Sequence, residues 1–233
     1  MTTDSALLRQ FAQTHSEEAF AELVRRHVNL VYSTALRRAN GDAQFALDVA
    51  QTVFADLARK ASSLSRRESL SGWLYTGAHF AAAKVVRTEN RRRAREAKFM
   101  RETPNESTPE PDWQQIGPML DDVMHELKTA DREAIVLRYF ENRPFAEVGA
   151  KLGLNENAAR MRVERALDKL RALLGKRGIS TTAALASVIS ANAVQLAPAS
   201  LAATLTTTSL RQGDGSLARK ERGAKRNSGP AED

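Results

Sequence analysis

At 233 residues and 42% hydrophobic content, the chain is long enough for one or two domains with real cores, which excludes a disordered tail. The formal net charge of +7 and an isoelectric point of about 10.0 point to a polyanion or an anionic surface as partner rather than a basic protein. The absence of cysteine removes disulfides, thiolate catalysis and zinc–thiolate sites together, and fits a reducing cytoplasm.

The N-terminal stretch MTTDSALLRQFAQTHSEEAF has no basic region followed by an apolar core, so no secretory signal is expected and the protein is placed in the cytoplasm. From Leu7 to Met100 the sequence contains neither proline nor a convincing alternation of apolar residues, and helices are the economical reading. Phe20, Leu23, Val24, Val28, Val31, Ala35 and Leu36 recur at three- and four-residue steps, as one buried helical face requires. Leu47, Ala50, Phe54, Leu57 and Ala61 repeat the pattern. Trp73, Leu74, Gly77, Ala78, Ala81, Ala82 and Val85 open a third helix that runs into the basic RTENRRRAREAKFMR.

The segment ETPNESTPEPDWQQIGP gathers four of the seven prolines and reads as a flexible interdomain linker that cannot sustain a helix. Beyond it, Met119 to Leu127 and Ile135 to Phe140 mark two helices. A short helix from Pro144 to Leu152 then reaches Gly153, a residue able to take the positive φ of a tight turn. A longer helix, capped by Asn155, follows at once. On the helical repeat, Ala159, Val163, Ala166, Leu170 and Leu173 form one apolar stripe, with Met161, Glu164, Arg165 and Asp168 opposite. Arg160, Arg162 and Lys169 lie on the flanks, where they can reach phosphates on either wall of a groove. The pattern is that of a helix-turn-helix, with an ordinary helical hairpin as the alternative on spacing alone.

Glycines in GKRG close this block. From Ser180 to Leu210 there is no charge, and Ala, Ser and Thr dominate with Pro198 in the middle. That composition favours a weakly packed helical hairpin or a partner-docking extension over a membrane span. The segment from Arg211 reads as disordered. Four histidines, His15, His27, His79 and His125, occur singly, without a His-Glu metal pair, a Ser-His-Asp order or a glycine-rich phosphate loop. No catalysis, metal, cofactor or small-molecule substrate is therefore expected.

LRYFENRPFAEVGAKLGLNENAARMRVERALDKLRALL resembles region 4, the −35 recognition domain, of bacterial sigma-70-type RNA polymerase sigma factors. FALDVAQTVFADLARK followed by SGWLYTGAHFAAAKVVRTENRRRARE resembles their region 2, which binds core polymerase and opens the −10 element. Two motifs in this order resemble the two-domain extracytoplasmic-function group. The resemblance implies an all-α chain with region 2 over 1–100, a linker over 101–118, region 4 over 119–178 and a weakly structured extension over 179–233. It implies that Asp48, Gln51, Thr52 and Phe54 hold the clamp helices of the polymerase largest subunit, with the beta flap as a further contact. Trp73, Arg87, Arg91, Arg92 and Arg93, with Arg95 beside them, would serve the −10 element. Asn155, Arg160, Met161, Arg162, Glu164, Arg165 and Lys169 would serve the −35 element. Promoter DNA and core polymerase are the implied partners, with an anti-sigma factor as a further one the family allows.

Departures from the family pattern are Phe80 and Lys84, where many members have Asn and Asp, and Ala146, where Ser or Thr usually caps the first helix of the motif. Ala158-Ala159 stands where a Thr-Val pair is common. The reading that competes from another class is a free-standing helix-turn-helix regulator acting as a dimer on half-sites one helical turn apart.

Overall fold

A computed structural model of the chain describes residues 2–39, 41–67, 69–96, 113–179 and 185–209, with side chains at 86–96, 114, 115 and 118 left aside. Its described residues are helices and their connections, without a strand, as the periodicity predicts. Helix α1 covers Asp4–Thr14, α2 Glu17–Arg38, α3 Ala43–Leu64 and α4 Ser71–Glu96. Short polar side chains set their starts: Ser16 accepts from the Ala19 amide at 3.2 Å and Asp42 from the Phe45 amide at 3.0 Å. Helix α2 is the hub, packed against α1, α3, α4 and α5. Leu23, Val24, Val31 and Ala35 of α2 are wholly buried with Phe54 and Leu57 of α3 and Leu74 of α4.

The second block contains α5 (Trp113–Glu126), α6 (Thr129–Ile135), a π-helical segment Val136–Phe140, α7 (Phe145–Leu152) and α8 (Glu156–Gly175). Here the structure corrects the linker. Residues 101–112 lie outside the described residues, but 113–118 are the first turns of α5 despite Pro118. Ile116 is fully buried, and the proline forfeits only one bond, to the first turn. The uncharged extension is also better packed than its composition suggests. Helix α9 (Leu185–Asn192) and a further helix, α10, over 201–209 bury Leu185, Ile189, Ala193, Leu201 and Leu205. Pro198 lies between them, so the segment is a helical hairpin. Among the described residues no helix is long and apolar enough to cross a membrane. The tail from Arg211 lies outside the described residues.

The two blocks share one core, and buried charges stitch them together. Arg37 of α2 grips Asp121 of α5 with two parallel bonds, Nε to Oδ2 at 2.9 Å and Nη2 to Oδ1 at 3.0 Å. Tyr75 of α4 donates to the same carboxylate at 2.6 Å. The Phe140 ring lies under the guanidinium, 5.2 Å from centroid to Cζ. Asp121 is wholly buried and Arg37 nearly so. Beside this pair, His79 of α4 stacks on His125 of α5 with centroids 3.7 Å apart. Burial, then the neighbouring His125 and Arg38, pushes the His79 imidazole down to about 4.

A second network centres on His27, also buried in α2. Its Nε2 lies 2.9 Å from Asp4 of α1. Its Nδ1 lies 3.3 Å from Glu141, an ion-pair contact rather than an aligned hydrogen bond. Ser71 at the start of α4 donates to the same Glu141 oxygen. The π-helical segment presents Glu141 here: its amide bonds back five residues to the Val136 carbonyl at 3.1 Å. Burial alone would push His27 down, but Asp4 and Glu141 outweigh it and raise the imidazolium to about 9. The same contacts hold Asp4 and Glu141 below the usual carboxylate range against the upward push of burial.

Because His27 binds its proton more tightly folded than unfolded, its contribution is complete below its ordinary value of 6.5 and is lost as pH rises through about 9. Urea midpoints should therefore fall between pH 6.5 and 9.5, and His27→Gln should flatten that slope; equal slopes for the two proteins would show that His27 is not a buried cation.

Candidate nucleic-acid interface

The turn between α7 and α8 is set by two glycines and one asparagine. Gly153 adopts φ +65° at the end of α7, the left-handed region in which a side chain is strained. Gly149, one turn earlier, receives the chain as it doubles back: its carbonyl accepts from the Leu154 amide at 2.8 Å. A Cβ on Gly149 would lie 2.6 Å from the Leu154 carbonyl oxygen. Asn155 then caps α8, its Oδ1 accepting from the Ala158 amide at 2.8 Å. Pro144 occupies the N-cap of α7, not its first turn, and no side chain caps that end. Glu147 supplies a favourable negative charge in the first turn instead.

Helix α8 turns Ala159, Val163, Ala166, Leu167, Leu170 and Leu174 into the core. Its other side is open: Arg160, Met161, Glu164 and Arg165 are exposed, while Arg162 is half-buried. Met161 is 46% exposed, unusual for a large apolar side chain. The Arg160 guanidinium lies 4.7 Å from the Phe145 centroid, with Arg138 4.9 Å from the same ring, so one aromatic side chain orients both cations. Arg165 bends back to the Met161 carbonyl at 3.1 Å. Lys169 departs from the expectation. Its Nζ is 2.6 Å from Asp131, so it ties α8 to α6 within the domain.

In the first block, Asp48 and Thr52 are exposed and Gln51 is half-buried on one face of α3. Asp48 accepts from Gln44 at 3.3 Å. Phe54 is corrected: at 0% exposure it belongs to the core, as its place in the apolar stripe also implied, and it offers no contact surface. Trp73 is half-buried, with Lys60 5.8 Å over its ring. The side chains of Arg87, Arg91, Arg92, Arg93 and Arg95 lie outside the description, though the α4 backbone that carries them is helical to Glu96. Phe80, on the same helix, is 60% exposed. Sequence reasoning missed a basic cleft lined by Arg9, Ser62, Arg66 and Arg67. The dibasic Arg66-Arg67 in the α3–α4 connection was the available signal; Arg9, from α1, gave none.

The family model for "Sigma-70 region 2" matches residues 23–92, which is most of α2, all of α3 and most of α4. The model for "Sigma-70, region 4" matches residues 123–172, from late α5 through most of α8. The RNA polymerase sigma factor CarQ of Myxococcus xanthus is 30% identical over 161 residues, 69% of this chain and 92% of its own length. The chain belongs to the sigma-70 family of RNA polymerase sigma factors. It falls in the extracytoplasmic-function (ECF) group. Its similarity extends to the ECF sigma factor SigK of Mycobacterium sp. (strain KMS), 28% identical over 75% of this chain and 93% of that protein. A solved structure of CnrH in complex with the cytosolic domain of CnrY aligns at 24% identity over 74% of this chain and 97% of its own, with a TM-score of 0.38. Membership does not favour the free-standing dimeric regulator. Helices α9 and α10 lie beyond both family models.

In this sigma factor, Gly149→Ala should force the α7–α8 turn apart, lowering stability by about 1–3 kcal/mol in urea unfolding. Gly175→Ala, where a Cβ meets nothing within 4 Å, is the control. Equal midpoints for the two variants would mean that the turn relaxes without cost.

Proposed function

We propose that this sigma factor directs promoter-specific initiation by docking the Asp48, Gln51 and Thr52 face of α3 on core polymerase. In this reading α4 serves the −10 element and α8 enters the major groove of the −35 element. The observation that carries it is the exposed row Arg160, Met161, Glu164 and Arg165 on a recognition helix whose opposite face is wholly committed to the core. Arginine pairs well with guanine O6 and N7, glutamate accepts from cytosine N4, and an apolar methionine suits a thymine methyl. Trp73 and the exposed Phe80 offer aromatic faces for unpaired bases, each stack contributing about 1–3 kcal/mol. The polymerase performs the phosphoryl transfer; region 2, region 4 and the connection between them supply position only. An anti-sigma factor also belongs to the reading, as a partner of the resting state.

Run-off transcription with core polymerase on a fragmented genomic template tests this. The protein should produce discrete transcripts that share paired upstream elements. Arg165→Ala should lower their yield by about 5- to 150-fold, the range of one specific base contact, while leaving core binding unchanged. Absence of polymerase-dependent transcripts would contradict the reading.

A further inference from the structure

The C-terminal hairpin lies on the seam between the two regions. Helix α9 packs on the π-helical segment and on α8, both in region 4. The connection from α9 to Pro198, a bend at Ala193 followed by residues without regular secondary structure, then runs beside α2 of region 2. Three rungs hold it there. Arg37 donates through Nη1 to the Ala193 carbonyl. Ser33 donates to the Gln195 carbonyl at 3.0 Å and accepts from the Gln195 amide at 2.6 Å. Asn29 accepts from the Ala197 amide at 2.9 Å.

The register of this ladder is its strongest feature. Positions 29, 33 and 37 lie one above another on a single helical face, each step rising about 6 Å. Positions 197, 195 and 193 are alternate residues, and an extended chain advances about 6.6 Å at each such step. The two spacings match, so an extended segment running antiparallel to α2 can meet it at every turn. Buried Ile189 on one side and buried Leu201 and Leu205 on the other pin the segment at both ends.

Arg37 joins the ladder to the interdomain lock. Its Nε and Nη2 hold Asp121 of α5, and its Nη1 holds the extension. A buried guanidinium is costly unless its donors are paired, so the Arg37 fork is satisfied when region 4 and the extension are both seated. Promoter elements named −35 and −10 are about 25 base pairs apart, or roughly 85 Å of B-DNA at 3.4 Å per pair. A chain of this length folded as one body has a radius of gyration of about 17 Å. The stitched arrangement is too small to engage both elements together.

We propose that residues 185–209 form an autoinhibitory clasp, which holds region 4 against region 2 and must leave the α2 face before both promoter elements can be read. The inhibitory role rests on the promoter reading above; the clasp itself rests on the ladder and the Arg37 lock. Release exposes the Asn29, Ser33 and Arg37 row and takes the Ala193 acceptor from Arg37 Nη1, which leaves the Asp121 fork as the remaining charged tie between the regions. The extension is therefore an inhibitor carried in the same chain as its target.

The cysteine-free chain permits a two-site label, with Glu17→Cys on α2 and Ala172→Cys on α8, both exposed. Energy transfer between the labels reports whether the two regions are together. Ile189→Asp with Leu205→Asp removes both anchors, and Asn29→Ala, a milder change, removes the last rung. Each variant should lengthen the label distance with helical content in 1–179 retained by circular dichroism. Each should also raise single-round transcription with core polymerase by about 5-fold or more, as a coupling of ordinary size predicts. Unchanged label distances in both variants would overturn the clasp. Longer distances with unchanged transcription would overturn the inhibition while leaving the clasp. If the opened variants give no polymerase-dependent transcript at all, the promoter reading fails, and the distances still decide the clasp.

Discussion

A guanidinium sealed among helices sets the architecture of this protein. Arg37 is removed from water, and its charge is tolerable there because each of its three nitrogens finds an acceptor: Asp121 twice, Thr34 at 3.1 Å and Ala193. Those acceptors come from α5, from α2 itself and from the extension, so pairing the charge means assembling the parts. Desolvation of such a pair largely offsets its attraction. Its contribution is therefore to choose the arrangement; apolar burial by Phe20, Leu23, Phe54, Tyr75, Ile116 and Leu120 supplies most of the driving force. His27 repeats the device, bridging Asp4 and Glu141 where α1, α2 and the π-helical segment meet.

The nucleic-acid face depends on the opposite economy. Around the α7–α8 turn, function requires missing atoms: no Cβ at Gly149, where the Leu154 carbonyl passes, and none at Gly153, which takes a positive φ. The turn fixes where α8 emerges. The apolar stripe of α8 fixes its rotation, and the row from Arg160 to Arg165 is left outward as a result. Arg160 lies over Phe145 and has its carboxylate contact, Glu156 at 4.0 Å, on the same exposed helix, so its charge stays at the surface of α8. Lys169, paired with Asp131, is not available in the same way.

Much of this was legible in the sequence, and the parts that were not share a cause. Helices with one dominant apolar stripe, α2, α3 and α8, could be read from their periodicity, because burial on one face leaves a period in the chain. The helix-turn-helix was legible because glycine at 153 and asparagine at 155 each have a local backbone reason. Trp113 to Pro118 misled because proline and glycine punctuate local structure, whereas burial of Ile116 is a tertiary gain that local rules cannot see. Phe54 was assigned to a partner and belongs to the core, since an aromatic side chain on a stripe serves either use equally well on paper. Arg37 and Asp121 are 84 positions apart, and each looks like an ordinary surface charge until the fold brings them together. The ladder from α2 to the extension was invisible for another reason: it matches a four-residue period in one segment with a two-residue period in another.

A double-mutant cycle between Arg37 and Asp121 tests the central claim that one buried pair fastens region 4 to region 2. Arg37→Met and Asp121→Leu should each lower stability by about 3–5 kcal/mol, because each strands the other's charge in the core. The double variant should cost less than their sum by about 2–3 kcal/mol, the coupling of groups in direct contact. Additive losses within about 0.5 kcal/mol would mean that the two side chains do not meet, and the closed arrangement of the two regions would be wrong.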